Sequence, residues 1–285
     1  MPCLSLSVGA TPAHNEDHIA ILDSPGMTDL LVLDGGTSVA ARDYIDEIDG
    51  DVVWFVRRFC AAVEPAIAAG LDQREAVHCA IDTVRAAFQE RAAHHDVPVH
   101  AWPIAALTWI RITPAAGAHR LQLYCLGDCI SLLALADGSV RDLDPYTNPQ
   151  EAVLQTAIAR LRAEGVHDPA ERHARLLPLL RKRREEQNMA PRPTVLCLKP
   201  DGPFAARRHE AVAPAGAFLL GMTDGFYRVV DSYGLHTQAS LAALCAGGNL
   251  HNALAQLRRH EAGNDAGQAV KKADDASAVW WRAGA

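Results

Sequence analysis

Leu30-Leu31-Val32-Leu33-Asp34-Gly35-Gly36-Thr37-Ser38 constrains this chain more than any other stretch. Four apolar residues run directly into an acidic residue and two glycines, the pattern of a buried strand that ends abruptly. A carboxylate at that point can face a cleft, and glycine lets a cation approach a main-chain carbonyl closely. Taken alone, the commoner explanation is a strand followed by an ordinary Asp-Gly turn. Repetition weighs against it, because Glu16-Asp17, Gly127-Asp128, Asp224-Gly225 and Asp274-Asp275 also sit at junctions with predicted apolar strands.

Periodicity orders the remaining elements. Short strands are expected over 4–8, 17–22 and 30–33, with Ser24-Pro25-Gly26 as the hairpin turn. Two helices follow, over 52–69, where Pro65 can introduce a kink, and over 72–95, opened by the capping-box-like Asp72 and Glu75 and closed by His94-His95. Four strands over 104–112, 121–126, 130–135 and 139–143 have short links, which predicts one antiparallel meander covered on both faces. Residues 145–193 turn helical and charged. The run Arg181-Lys182-Arg183-Arg184-Glu185-Glu186 reads there as a solvated C-terminal helical turn whose cations offset the dipole. Strands over 194–198, 209–212 and 217–222, helices over 240–246 and 250–262, the polar stretch Lys271-Lys272-Ala273-Asp274-Asp275 and a last strand over 276–282 complete the order. With no internal repeat or long linker, the expectation is a single domain over 1–285 with a helical insert at about 145–193.

Composition excludes several functions. Across 285 residues the net charge is −7, which leaves no basic excess to release counterions from a nucleic acid. Hydrophobic residues make up 49% and charged residues 21%, a balance that supports a folded core rather than disorder. The seven scattered cysteines fit reduced thiols, and Cys125 and Cys129 lack the second ligand pair of a structural zinc site. No run approaches 18 apolar residues, so a soluble, cytoplasmic protein without a membrane partner is expected.

Carboxylates gathered from separate strand ends repel and raise one another's pKa unless cations neutralise them. All-oxygen sites select hard ions such as Mg²⁺ or Mn²⁺, and two bridged ions can activate water toward phosphorus. On the residues alone, a metal-assisted phosphohydrolase and a set of scattered surface turns both stay open.

Asn15-Glu16-Asp17, Asp34-Gly35-Gly36, Leu126-Gly127-Asp128, Thr223-Asp224-Gly225 and Asp274-Asp275-Ala276-Ser277 resemble, in order and rough spacing, the motifs of the type 2C metal-dependent serine/threonine protein phosphatases. The resemblance covers nearly the whole chain and is to a divergent, bacterial-like member. It implies an α+β fold, a four-layer α-β-β-α sandwich of two antiparallel sheets flanked by antiparallel helices. It also implies two Mn²⁺ or Mg²⁺ ions, with a third, weaker one, and hydrolysis of phosphoserine and phosphothreonine in proteins by water held between the metals, opposing a Ser/Thr kinase. Residue by residue, Asp34 resembles the carboxylate bridging both metals and Gly35 the carbonyl donor to the second. Glu16 or Asp17 contributes on that side, directly or through water. Asp224 and Asp274 resemble ligands of the first metal and Asp128 a ligand of the third, while Asp275 orients its loop. The insert occupies the place of the family's variable flap.

Two departures stand out. Pro12 occupies the position of the family's phosphate-gripping arginine, which leaves the metals, Arg42, His14 or His18 for that task. The glycine loop is shortened to Gly35-Gly36-Thr37-Ser38 and lacks the histidine that some relatives use as general acid; His14 and His18 are the candidates to replace it. Two further readings therefore stand beside the protein phosphatase: a catalytically weak pseudophosphatase acting as a binding module, and a small-molecule phosphomonoesterase of the same fold.

Overall fold

The computed structural model describes residues 3–12, 14–200, 202–263 and 273–284; Lys271 and Lys272 of the expected polar stretch lie outside them. Its strands are β1 (Cys3–Val8), β2 (His18–Ser24), β3 (Met27–Gly35), β4 (Ile104–Ala115), β5 (Ala118–Leu126), β6 (Ile130–Ala134), β7 (Val140–Asp142), β8 (Leu196–Cys197), β9 (Arg207–Pro214), β10 (Phe218–Met222) and β11 (Ala276–Arg282). The helices are α1 (Asp51–Ala68), α2 (Gln73–Ala92), α3 (Pro149–Ala163), α4 (Pro169–Asn188), α5 (Asp224–Tyr227), α6 (Gln238–Cys245) and α7 (Leu250–Gly263). Two antiparallel sheets form, in the orders β1-β11-β10-β6-β7 and β2-β3-β4-β5-β9, with β8 pairing β4.

Period-two alternation builds the layers. Leu30 and Val32 of β3 and Ile110 and Ile112 of β4 meet Leu219, Val279 and Trp281 of the other sheet, forming the core between the sheets. Their neighbours Leu31, Leu33, Leu107 and Trp109 face outward onto α1 and α2. On the far side, Leu220, Met222, Ala278 and Trp280 pack against α6 and α7. The result is the expected α-β-β-α sandwich. Among the described residues no helix is long and apolar enough to cross a membrane.

The expected single meander is two hairpins in different sheets. β4 pairs β5, whereas β6 pairs β7 and β10. The chain changes sheets at Gly127, whose φ of 78° lies in the left-handed region and whose missing Cβ would overlap Ala106. α1 runs through Pro65 as one helix, and α2 stops at Ala92, which leaves His94 and His95 in the turn beyond. The Asp72 side chain accepts from the Glu75 amide, as its spacing predicts.

A buried ion pair pins β3 to β4 at the end far from Asp34. Asp29, fully buried, accepts from Trp109 Nε1 at 2.6 Å and from Arg111 Nε at 2.8 Å, and Arg111 also donates to Leu71 O at 3.1 Å. Removing one partner strands the other charge in the core. Asp29→Ala is expected to lower the unfolding free energy by about 3–5 kcal/mol in urea titrations; a loss of a few tenths would show the pair to be incidental.

Candidate active site

The sandwich's alternation carries Asp34 to the mouth of the gap between the sheets. Leu30 and Val32 face that gap, and Asp34 is the next residue on the same face, paired with Ala106 where β3 ends. Asp17 and Glu16 directly precede β2, whose first residue, His18, pairs Leu33. They therefore run alongside Asp34 and Gly35. A Cβ on Gly35 would lie 2.5 Å from the Glu16 carbonyl oxygen and 2.5 Å from Val52 Cγ1, so no larger residue fits.

The second sheet supplies Asp224 and the Asp274-Asp275 pair. Asp224 opens α5 immediately after β10, and a Cβ on Gly225 would overlap the Asp275 carbonyl oxygen. That close approach is what brings the Asp224 turn onto Asp274. Asp275 accepts from the Ala10 and Glu16 amides, each at 2.7 Å, and so fixes the loop that carries Glu16 and Asp17, the orienting role expected for it. Asp17, buried, accepts from Thr223 Oγ1 at 2.9 Å, and Thr223 is tied to Ser277 through its main chain. Asn15 reaches Ser7 Oγ at 2.8 Å, and Ser277 reaches the same oxygen at 2.7 Å. Asp128, half-buried, accepts from Asn148 Nδ2 at 2.8 Å, the N-cap of α3.

These acids feel one another. Burial, then the charges of Asp224, Asp17 and Asp128, drive Asp34 well above the carboxylate range, and it shares a hydrogen bond with Asp224. Burial chiefly raises Asp17 to about 8; crowding of its carboxyl by protein and then the charge of Asp128 raise Asp224, although that residue is open to solvent. Asp274 adds to the field at Asp224. The structure thus brings together Asp17, Asp34, Asp128, Asp224 and Asp274, with Glu16 and Gly35 at their edge. A cation bound among these acids would relieve the same repulsion that raises their pKa values.

Among the described residues, no three His, Cys, Asp or Glu side chains close into a ready cage for a metal ion. An open, all-oxygen set fits hydrated Mg²⁺ or Mn²⁺, which keep several waters and take one or two carboxylates each. The glycine-only contact at Gly35, a main-chain carbonyl beside these acids, fits the same chemistry.

The histidine candidates separate. His14 Nε2 lies 3.5 Å from Glu16 Oε1 at the exposed edge of the site. His18 pairs Leu33, whose side chain faces α1 rather than the gap, and burial followed by the nearby Arg57 lowers its pKa. His18 is therefore corrected from candidate to a residue facing the helical layer. Arg42 stacks over the Tyr44 ring at 4.7 Å.

Sequence reasoning missed the insert's arginines. Far from forming a solvated turn, Arg184 is buried, with Nη2 donating to Gly36 O at 3.2 Å and Thr37 O at 3.1 Å, and Arg181 Nε donates to Val39 O at 2.9 Å. The signal was present as a stripe at spacing four: Arg172, Leu176, Leu180, Arg184 and Asn188 share one face of α4, and four of the five are buried.

No family model and no curated protein sequence matches the chain. Solved structures do. The serine/threonine phosphatase of S. agalactiae superposes with a TM-score of 0.59 at 12% identity, covering 99% of each chain. The PPM Ser-Thr phosphatase MsPP from Mycobacterium smegmatis gives 0.53 at 14% identity, over 100% of this chain and 99% of its own. The catalytic domain of the phosphatase PstP, solved with two manganese ions, gives 0.51 at 17% identity over 98% and 96%. The fold of this chain is that of the PPM-type Ser/Thr phosphatases.

A pH dependence follows from Asp17. Its folded pKa of about 8 lies above the unfolded value of about 3.9, so its proton stabilises the metal-free fold fully below pH ~4, and that contribution disappears as pH rises through 8. In EDTA, the stability of the wild type relative to Asp17→Asn should fall steadily over that range in urea titrations. A pH-independent difference would contradict the cluster's electrostatics.

Proposed function

We propose that this chain is a metal-dependent phosphatase that hydrolyses phosphoserine and phosphothreonine in proteins, opposing a Ser/Thr kinase. One observation carries the reading: Asp17, Asp34, Asp128 and Asp224 perturb one another at one end of a sandwich that shares its fold with PPM-type phosphatases. Asp34 would bridge two Mn²⁺ or Mg²⁺ ions, Asp224 and Asp274 would complete the first, and the Gly35 carbonyl with Glu16 and Asp17 the second. Asp128 would serve a third. Bound there, the ions supply Lewis acidity toward the phosphoryl oxygens and a water acidic enough to attack at neutral pH.

The chain's own residues support an attack by water rather than by a protein nucleophile. Burial, followed by the charges of Asp34 and Asp128, raises the Cys129 thiol well above its usual range, so it offers no thiolate beside the site. His14, half-exposed beside Glu16, would be the imidazole to protonate the departing serine or threonine oxygen. Substrate recognition falls to the insert. Residues 145–193 carry nine Lys and Arg against six Asp and Glu in a chain of net charge −7, and Asn148 and Arg184 anchor this basic segment against the acidic cluster. A phosphorylated protein segment would meet this insert beside the acidic mouth.

Pro12, standing where an arginine would grip phosphate, favours a second reading, a binding module with weak turnover. Manganese titration with parallel assay of phosphopeptides and an aryl phosphate separates the two. The phosphatase reading expects tight metal binding and turnover, with phosphopeptides preferred. Asp34→Asn should reduce manganese-dependent hydrolysis to the uncatalysed background, and undiminished turnover in that variant would overturn the mechanism.

A further inference from the structure

Three carbonyls of the segment directly after Asp34-Gly35 are taken by arginines of the insert: Gly36 O and Thr37 O by Arg184, and Val39 O by Arg181. The Gly36 amide also holds the segment to the sheet, donating to Ile104 O at 2.9 Å. α4 is fastened independently, because Asn188 Nδ2 donates to Val99 O and Trp102 O, each at 3.1 Å, just ahead of β4. The insert thus spans from the entrance of β4 to the exit of β3, the strand pair that presents Asp34.

Arg184 is a costly way to make this contact if stability were the purpose. Burial lowers its pKa to about 10, its hydrogen bonds go to neutral carbonyls, and Nε is buried with no hydrogen-bond partner among the described residues. The opposing charge it feels is Glu16, on the other loop that borders Gly35. The space is made for it: a Cβ on Gly36 would stand 3.1 Å from Arg184 Nη2 and 2.9 Å from Ile104 Cγ1.

We infer that Arg184 is a positioning residue of the metal centre, a latch from the insert that fixes Gly35-Gly36-Thr37 against β4 and Glu16. The functional part of this inference rests on the phosphatase reading; the latch itself does not. A fixed loop holds the Gly35 carbonyl and the Asp34 carboxylate in register, and outer contacts of this kind commonly tune metal affinity and turnover together. It follows that whatever moves the insert also adjusts the metal site.

The test uses the full chain. Arg184→Gln should weaken Mn²⁺ binding in calorimetry and lower kcat on an aryl phosphate by about tenfold or more each, while KM changes less than about twofold. Both bonds leave one nitrogen, Nη2, at the far tip of the guanidinium; Arg184→Lys keeps the charge on a shorter stem and should restore kcat only in part. Gly36→Ala attacks the same contact from the loop side and should give a similar loss, with the double variant little worse than either single one. Amide hydrogen exchange over 37–40 in the metal-free protein reads the latch without enzymology: it should speed about tenfold or more in Arg184→Gln if that side chain holds the loop. Unchanged exchange overturns the latch even if the wild type proves inactive, whereas an inactive wild type with accelerated exchange in the variant sinks the phosphatase reading alone. Wild-type metal affinity and kcat in Arg184→Gln would overturn the positioning role. Should Arg184→Gln fail to fold, Gly36→Ala decides by the same measurements.

Discussion

Mutual repulsion among carboxylates gathered at one end of the sandwich is the constraint that the rest of the molecule answers. Asp34 is placed between Asp17, Asp128 and Asp224, and burial magnifies every one of those interactions. Left to itself such a cluster would push its loops apart. Two sheets packed face to face hold them together, because the core of Leu30, Val32, Ile110, Leu219, Val279 and Trp281 lies directly behind the acids. The acids meet the repulsion by raised pKa values, and the apolar sandwich behind them keeps their loops together.

Holding the loops requires more than packing. Asp275 takes the Ala10 and Glu16 amides, Thr223 takes Asp17, and Asn148 takes Asp128, so each acidic loop is tied by a neighbour from another element. On the helical side, Arg258 of α7 donates to Asp274 O at 2.8 Å and Val8 O at 3.0 Å. These contacts bear on rigidity: a cation binding here meets acids already held in place, and the ordering cost falls on folding rather than on binding.

What the sequence revealed and what it concealed divide along physical lines. Strand ends announce themselves where an apolar run meets Asp34-Gly35 or Asp224-Gly225, and the acids' convergence follows once those strands share a sandwich. The partition of strands between sheets was hidden, because β4 to β7 look like one meander until the left-handed Gly127 redirects the chain. His14 and His18 look equivalent as residues, and only the register of β2 against Leu33 turns His18 toward the helices. Arg184 was concealed by its type: an arginine in a basic run reads as solvated, although its spacing from Leu176 and Asn188 marked the buried face of α4. Composition is a weak guide to a cation held by carbonyls.

The insert is thereby tied to the acidic cluster rather than hung beside it. It reaches Asp128 through Asn148 and the glycine loop through Arg184 and Arg181. Anomalous diffraction at the manganese edge, from crystals of the full chain grown with Mn²⁺, tests this account most directly. It predicts two strong peaks at the open end of the sandwich, both within coordination distance of Asp34, one beside Asp224 and one beside the Gly35 carbonyl. Manganese bound elsewhere, or no peak at Asp34 in a saturated crystal, would contradict it.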